Sequence, residues 1–108
     1  MRYGGDLRKG DMPQINIGDV LEFRIGDFEV LDWAHKPGSA RLAEPEQYLL
    51  LLKDRYSSGL NHHVAYLGHK EWRQGETCRP TVQIYTEEQA RRIFHEKAER
   101  NNFAVRSR

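Results

Sequence analysis

The chain has 108 residues, of which 38% are hydrophobic and 31% are charged, the size and composition of one small globular domain, and this size excludes a large multi-substrate enzyme. Lys and Arg number 17 and Asp and Glu number 16, so the net charge of +1 excludes the strong overall field of an electrostatically driven nucleic-acid binder. The longest apolar run, residues 48–52, is too short to cross a membrane, and the single cysteine, Cys78, excludes an internal disulfide. We therefore expect a cytoplasmic protein with no membrane partner and no cofactor.

The chain divides unevenly in composition. Residues 1–14 combine glycines with alternating charges and predict a flexible N-terminal arm, ahead of a single α+β domain over residues 15–108. Residues 1–54 carry 7 basic and 10 acidic side chains, whereas residues 55–108 carry 10 and 6. An anionic partner is therefore expected to meet the second half.

The first predicted element is a β-hairpin. Apolar and polar side chains alternate over residues 15–25, which is the period of a half-buried strand. A two-residue turn at Gly26-Asp27 would place Arg24 opposite Glu29, with apolar pairs on either side. The sequence therefore predicts a hairpin in that register.

A second hairpin is predicted further along the chain. Residues 34–47 contain two prolines and a glycine and indicate a long loop. The leucine-rich residues 48–56 suit either a strand or a buried helix, and we favour the strand because residues 57–59, Ser-Ser-Gly, and the β-type residues 62–67 complete a hairpin.

One helix is predicted near the C-terminus. Residues 70–80 indicate a loop and residues 81–85 a strand, after which Thr86 and Gln89 form a capping-box pattern. Asn101-Asn102 ends the helix, whose apolar face consists of Ala90, Ile93, Phe94 and Ala98. The predicted fold is α+β: a small antiparallel curled sheet or partial barrel of four to five strands with this helix packed on it.

Three histidines, His62, His63 and His69, lie close together in the sequence, with Asp54 and Glu71 nearby. Imidazole and carboxylate groups are suitable zinc ligands. Adjacent side chains on a strand point to opposite faces, however, so His62 and His63 cannot easily reach one ion. We therefore expect no metal site.

Histidine also suggests an enzyme as the alternative function. His63 could act as general acid and base in phosphodiester cleavage, with Glu71 beside it and Arg79 stabilising the charged transition state. Cys78 lacks a surrounding glycine-rich elbow and is expected to be inert.

Aromatic and basic side chains indicate a binding surface in the second half. Trp72 lies in a polar loop and is the best candidate for an exposed anchor, the alternative being that it folds back over the sheet. Trp33 and Tyr85 are expected to pack in the core. The residues predicted to accompany Trp72 in the binding surface are Lys70, Arg73, Arg79 and Tyr56.

Two short segments, Gly18-Asp19-Val20 and Asp32-Trp33 through Gly38-Ser39, resemble the barrel-forming ribonuclease toxins of the MazF and PemK type. Such a resemblance implies RNA cleavage. An extra hairpin separates the two segments and no matching Arg-Pro follows the loop, so the resemblance bears on the enzyme alternative alone.

The sequence as a whole favours a small non-catalytic module that binds a macromolecule, with a protein as the expected partner. Several aromatic side chains, a balanced charge and the lack of a phosphate-binding glycine loop or HExxH motif support this interpretation. Inhibitors and regulators carried by phages and mobile elements are similar in size. The alternatives are a small phosphodiester-cleaving ribonuclease and a nucleic-acid-binding module.

Overall fold

A curled sheet and one helix form the fold of the protein in a computed structural model, which describes residues 2–3, 15–23, 26–39, 41–42, 46–54, 61–68 and 84–106. Five strands lie side by side in the order β1-β2-β3-β4-β5, and β6 pairs separately with β3. The bounds are β1 Arg2–Tyr3, β2 Val20–Phe23, β3 Gly26–Lys36, β4 Gln47–Asp54, β5 His62–Gly68, α1 Glu87–Arg100 and β6 Ala104–Val105. The predicted α+β architecture is confirmed.

Strand β4 lies between β3 and β5, and each of its faces is covered by a separate hydrophobic cluster. Leu50 and Leu52 join a cluster on one face, here called the inner face, which also contains Phe28, Val30 and Leu67. The alternate leucines of β4, Leu49 and Leu51, join Ala90 and Phe94 of α1 in a second cluster on the helix face. A run of four leucines therefore forms a doubly buried strand, which confirms the strand interpretation of this segment.

The helix begins and ends where the sequence predicts. The Thr86 hydroxyl accepts a hydrogen bond from the Gln89 backbone N–H (3.3 Å), and the Gln89 side-chain oxygen accepts one from the Thr86 N–H (3.2 Å). Asn102 adopts a positive φ of 61° after the last helical turn, and the next residue turns back so that the Phe103 N–H donates to the Ala98 carbonyl at 2.9 Å. This reversal leads the chain directly into β6.

The register of the first hairpin differs from the prediction. Glu29 pairs with Val20 instead of Arg24, and Phe28 pairs with Leu21. The predicted and observed registers differ by an even number of residues, so both put the same side chains on the inner face, and alternation alone cannot distinguish them. The observed register makes Gly26 and Asp27 part of β3, and the predicted turn at these residues is wrong.

A turn before β2 explains why that strand starts later than the alternation predicts. Gly18 has a φ of +87°, and the Asp19 carboxylate accepts a hydrogen bond from the Asn16 backbone N–H at 2.8 Å. The Gly18 N–H and the Asp19 carbonyl then bond to Val30 at 2.9 and 2.8 Å. This turn ties the segment before β2 to the middle of β3.

Strand β3 continues beyond its predicted end. The sequence predicts a loop over residues 34–47, but β3 reaches Lys36 and β4 starts at Gln47. Residues 34–36 of β3 pair with residues 49–47 of β4, and β6 pairs with Ala34 and His35 on the other edge, which β2 leaves open. The register with β4 shifts between Val30 and Asp32, which is a β-bulge at Leu31.

The first strand lies within the segment predicted to be a flexible arm. Arg2 pairs with Val20 and Tyr3 with Leu21, both in parallel orientation. Residues 4–14 lie outside the described part of the chain.

Candidate functional site

Most of the site residues predicted from the sequence lie outside the described part of the chain. These are Tyr56, His69, Lys70, Glu71, Trp72, Arg73, Cys78 and Arg79. The binding surface centred on Trp72 therefore stays a prediction. Trp33 and Tyr85 are half-buried and pack against the inner-face and helix-face clusters respectively, as expected for core-lining aromatic residues.

His62 and His63 are both buried and lie on opposite faces of β5. The His63 ring meets the Phe28 ring edge-on, with centroids 5.1 Å apart, on the inner face. His62 exchanges two backbone hydrogen bonds with Tyr85, which packs on the helix face. The two imidazoles therefore point to opposite faces of the sheet, as the alternation of side chains along a strand predicts.

We predict that zinc does not stabilise the protein. Ligands raise the melting temperature only when they bind the folded state preferentially, and two imidazoles on opposite faces of a sheet cannot share one ion. The measurement is the melting temperature with and without added zinc. A zinc-dependent rise that disappears in His69→Ala would contradict the prediction.

His62 occupies an unfavourable position for a charged imidazole. The residue is 6% exposed, and its buried Nδ1 atom has no hydrogen-bond partner in the part of the chain that the structure describes. Burial is the main cause that lowers the pKa of His62, and the positive charges of Lys53 and Arg91 act in the same direction. The negative charge of Glu87 opposes them. The Glu87 carboxylate is already paired with Arg91 at 2.9 Å.

This lowered pKa predicts a loss of stability in acid. The folded state binds the His62 proton less readily than the unfolded chain, whose histidine pKa is about 6.5. The contribution of neutral His62 is therefore present above about pH 6.5 and is lost as the pH falls toward the folded-state value. Urea unfolding at pH 7.5 and 5.5 should show a smaller acid-induced drop for His62→Gln than for the wild type. An equal drop in both proteins would refute the prediction.

A partly exposed group of aromatic side chains lies near the start of β4, at the end of the strand away from His62. This group, here called the β3–β4 patch, consists of Trp33, His35, Glu46 and Tyr48. Trp33 and His35 are two residues apart on β3, and Tyr48 lies directly opposite His35 on β4. The Tyr48 ring is 4.8 Å from the His35 ring and 5.7 Å from the Trp33 ring, the latter in a T-shaped contact. The three rings therefore form one continuous row.

A carboxylate completes the patch. Glu46 Oε2 is 3.3 Å from His35 Nε2, with 38% of the Glu46 side chain and 29% of the His35 side chain exposed. The two atoms are close but not aligned as a hydrogen bond, since the buried His35 Nε2 has no hydrogen-bond partner among the described residues. Burial, with the negative charge of Glu46, raises the pKa of Tyr48 against the opposing hydrogen bond from the Ile15 backbone. Tyr48 is therefore a neutral phenol over the physiological pH range.

The sequence analysis missed this patch because it ended β3 too early. With a loop from residue 34 onward, His35 and Glu46 fall on a flexible segment and Tyr48 has no partner strand. The available signal was the spacing of Trp33 and His35, which places two rings on one face of a strand that continues to residue 36.

The aspartates in the two toxin-like segments have structural roles. Asp19 closes the turn before β2 through the Asn16 N–H. Asp32 is buried, accepts a hydrogen bond from the Trp33 N–H at 2.8 Å and pairs with Arg106 at 3.3 Å. Both carboxylates therefore have roles in holding the backbone.

No family model matches the chain, and comparisons with curated proteins and with solved structures find no similar protein. Within the described residues, no helix is long and apolar enough to span a membrane.

Proposed function

We propose that this chain is a small non-catalytic module that binds another protein in the cytoplasm and inhibits or regulates it, in the manner of the small proteins carried by phages and mobile elements. The observation that supports this function is the β3–β4 patch, where the half-buried Trp33 and His35 rings lie beside the buried Tyr48 ring and a partly exposed carboxylate. Aromatic residues that are already fixed by packing contribute strongly to protein interfaces because little side-chain entropy is lost on binding.

The carboxylate favours a protein partner over a nucleic acid. Bases could stack on Trp33 and Tyr48, but a nucleic-acid groove usually places cations beside its aromatic rings to follow the phosphates. Here the charged side chain in contact with the rings is Glu46, which repels phosphate, and the nearby Arg106 is paired with the Asp32 carboxylate. A protein can instead supply a cation or a hydrogen-bond donor to this position.

The burial of His63 argues against the ribonuclease alternative. A general acid or base must come within hydrogen-bond distance of the atom whose proton it transfers. His63 is 6% exposed and packs edge-on against Phe28. A substrate would have to displace part of the inner-face core to reach it.

Affinity capture followed by binding measurements tests the proposed function. The wild-type chain and Trp33→Ala would be used to capture proteins from a cell lysate, with Ile84→Ala as the control. Ile84 is exposed and lies far from the patch along the sheet. Its neighbour Tyr85 pairs with His62, and His62 pairs with Lys53 near the end of β4, whereas the patch lies near the start of β4. A protein that binds the wild type and Ile84→Ala directly after purification, but binds Trp33→Ala weakly, supports the proposal.

An RNA-degradation assay tests the enzyme alternative. Purified wild-type protein and His63→Ala would be incubated with RNA, and no cleavage by either protein is expected. Cleavage by the wild type that is lost in His63→Ala would overturn the non-catalytic proposal.

A further inference from the structure

We propose that the β3–β4 patch receives an arginine side chain of the partner protein, an inference that rests on the function proposed above. The patch combines a row of aromatic rings, in the order Trp33, Tyr48 and His35, with the Glu46 carboxylate at the His35 end. A guanidinium group at that end can contact the partly exposed His35 ring and the carboxylate, while the methylene groups of the arginine lie along the row. The flat face of the guanidinium stacks on an aromatic ring, while its N–H groups donate to carboxylate oxygens.

The rings are fixed before any ligand arrives. Trp33 packs against the inner-face cluster, and its ring meets Tyr48 at an interplanar angle of 79°. Tyr48 is itself buried at 7% exposure and is paired across the sheet with His35. Trp33 is therefore held by Tyr48 from one side while it keeps part of its surface exposed, as an apolar platform for the methylene groups of an arginine side chain requires.

The Glu46 carboxylate has capacity to accept hydrogen bonds. Among the described residues, its one charged or polar contact is His35 Nε2 at 3.3 Å, and that contact is not aligned as a hydrogen bond. An ionised carboxylate has about four lone-pair sites, so an incoming guanidinium could form a two-pronged contact with it. Because the Glu46 carboxylate is partly desolvated beside the His35 ring, such a contact would be stronger than one on a fully exposed surface.

Arg106, a cation of the same chain, pairs with a carboxylate other than Glu46. Arg106 lies beside the patch, since its backbone N–H donates to the Trp33 carbonyl at 3.1 Å. Its guanidinium, however, pairs with the buried Asp32 carboxylate at 3.3 Å. Among the described residues, Glu46 is therefore paired with no lysine or arginine, and its carboxylate can accept a cation from another protein.

Titrations with small arginine probes test this inference without the partner. N-acetylarginine amide and its neutral isostere N-acetylcitrulline amide would be added to ¹⁵N-labelled protein, with the Trp33 indole N–H signal identified by its loss in Trp33→Phe. The arginine probe is expected to shift this signal saturably in the millimolar range, whereas citrulline should bind roughly tenfold more weakly because it lacks the charge.

Two variants show whether Glu46 is the acceptor. Glu46→Gln should weaken arginine binding roughly tenfold, and Glu88→Gln, which removes an exposed carboxylate from α1, should leave it unchanged. Equal binding of citrulline, unchanged binding by Glu46→Gln, or no shift at all would overturn the inference.

The same variants distinguish this inference from the proposed function. If the captured partner loses affinity for Trp33→Ala while the arginine probe does not bind, the proposed function stands and the arginine inference fails. If the probe binds at Glu46 but no protein is captured, the proposed function fails.

Discussion

Phe94→Ala is expected to lower the free energy of unfolding by about 3 to 5 kcal/mol. Phe94 is 0% exposed and is the largest side chain that α1 inserts into the helix-face cluster, among Leu49, Leu51 and Val64. Truncation removes its transfer free energy and leaves a cavity that Leu49 and Leu51 cannot fill, because their strand, β4, is paired on both sides. For a domain of this size, such a loss is a large part of the total stability.

Urea unfolding provides the measurement for Phe94→Ala. Glu96→Ala is the control, because Glu96 is exposed on the same helix and its replacement should leave the midpoint nearly unchanged. If the midpoint of Phe94→Ala equals that of the wild type, α1 does not stabilise the sheet.

Trp33→Ala is expected to weaken partner binding by at least about 2 kcal/mol, or roughly 30-fold in Kd. The loss is large because the ring is fixed by Tyr48 and presents its remaining surface to the partner. Isothermal titration or surface plasmon resonance with the captured partner gives the affinity. Trp33→Phe should retain much of the binding, since it keeps an aromatic surface at this position.

The fold of Trp33→Ala must be measured together with its affinity. Trp33 also packs against the inner-face cluster, so the substitution has a cost in stability as well. Circular dichroism and the urea midpoint separate the two effects. Weak binding by a folded variant assigns Trp33 to the interface, whereas wild-type affinity would remove it from there.

Local sequence signals predicted much of this fold. The capping box at Thr86 and Gln89 involves residues three positions apart, so the sequence alone specifies where α1 begins. The alternation around Phe28 identified which side chains face the core. A shift of one residue would move the apolar side chains of a strand from the core to the solvent. The alternation of apolar and polar residues therefore strongly specifies which side chains face the core.

Features that depend on distant residues were not predicted. The register of β2 against β3 depends on the turn at Gly18 and its bonds to Val30, and no alternation pattern encodes those bonds. The last residues of β3 pair with β4 on one edge and with β6 on the other, and β6 reaches β3 only after α1 returns the chain. The β3–β4 patch exists because of that extension, so its carboxylate, Glu46, could not be associated with Trp33 from the sequence.

Hydrogen–deuterium exchange of the chain, free and bound to the captured partner, tests most directly whether the β3–β4 patch is the binding surface. Backbone amides at an interface exchange more slowly when the partner excludes water and restrains local opening. The account predicts added protection in residues 32–36 and 46–48 and unchanged exchange around Ile84. Protection confined to the predicted loop at residues 70–80, with unchanged exchange in β3 and β4, would contradict it.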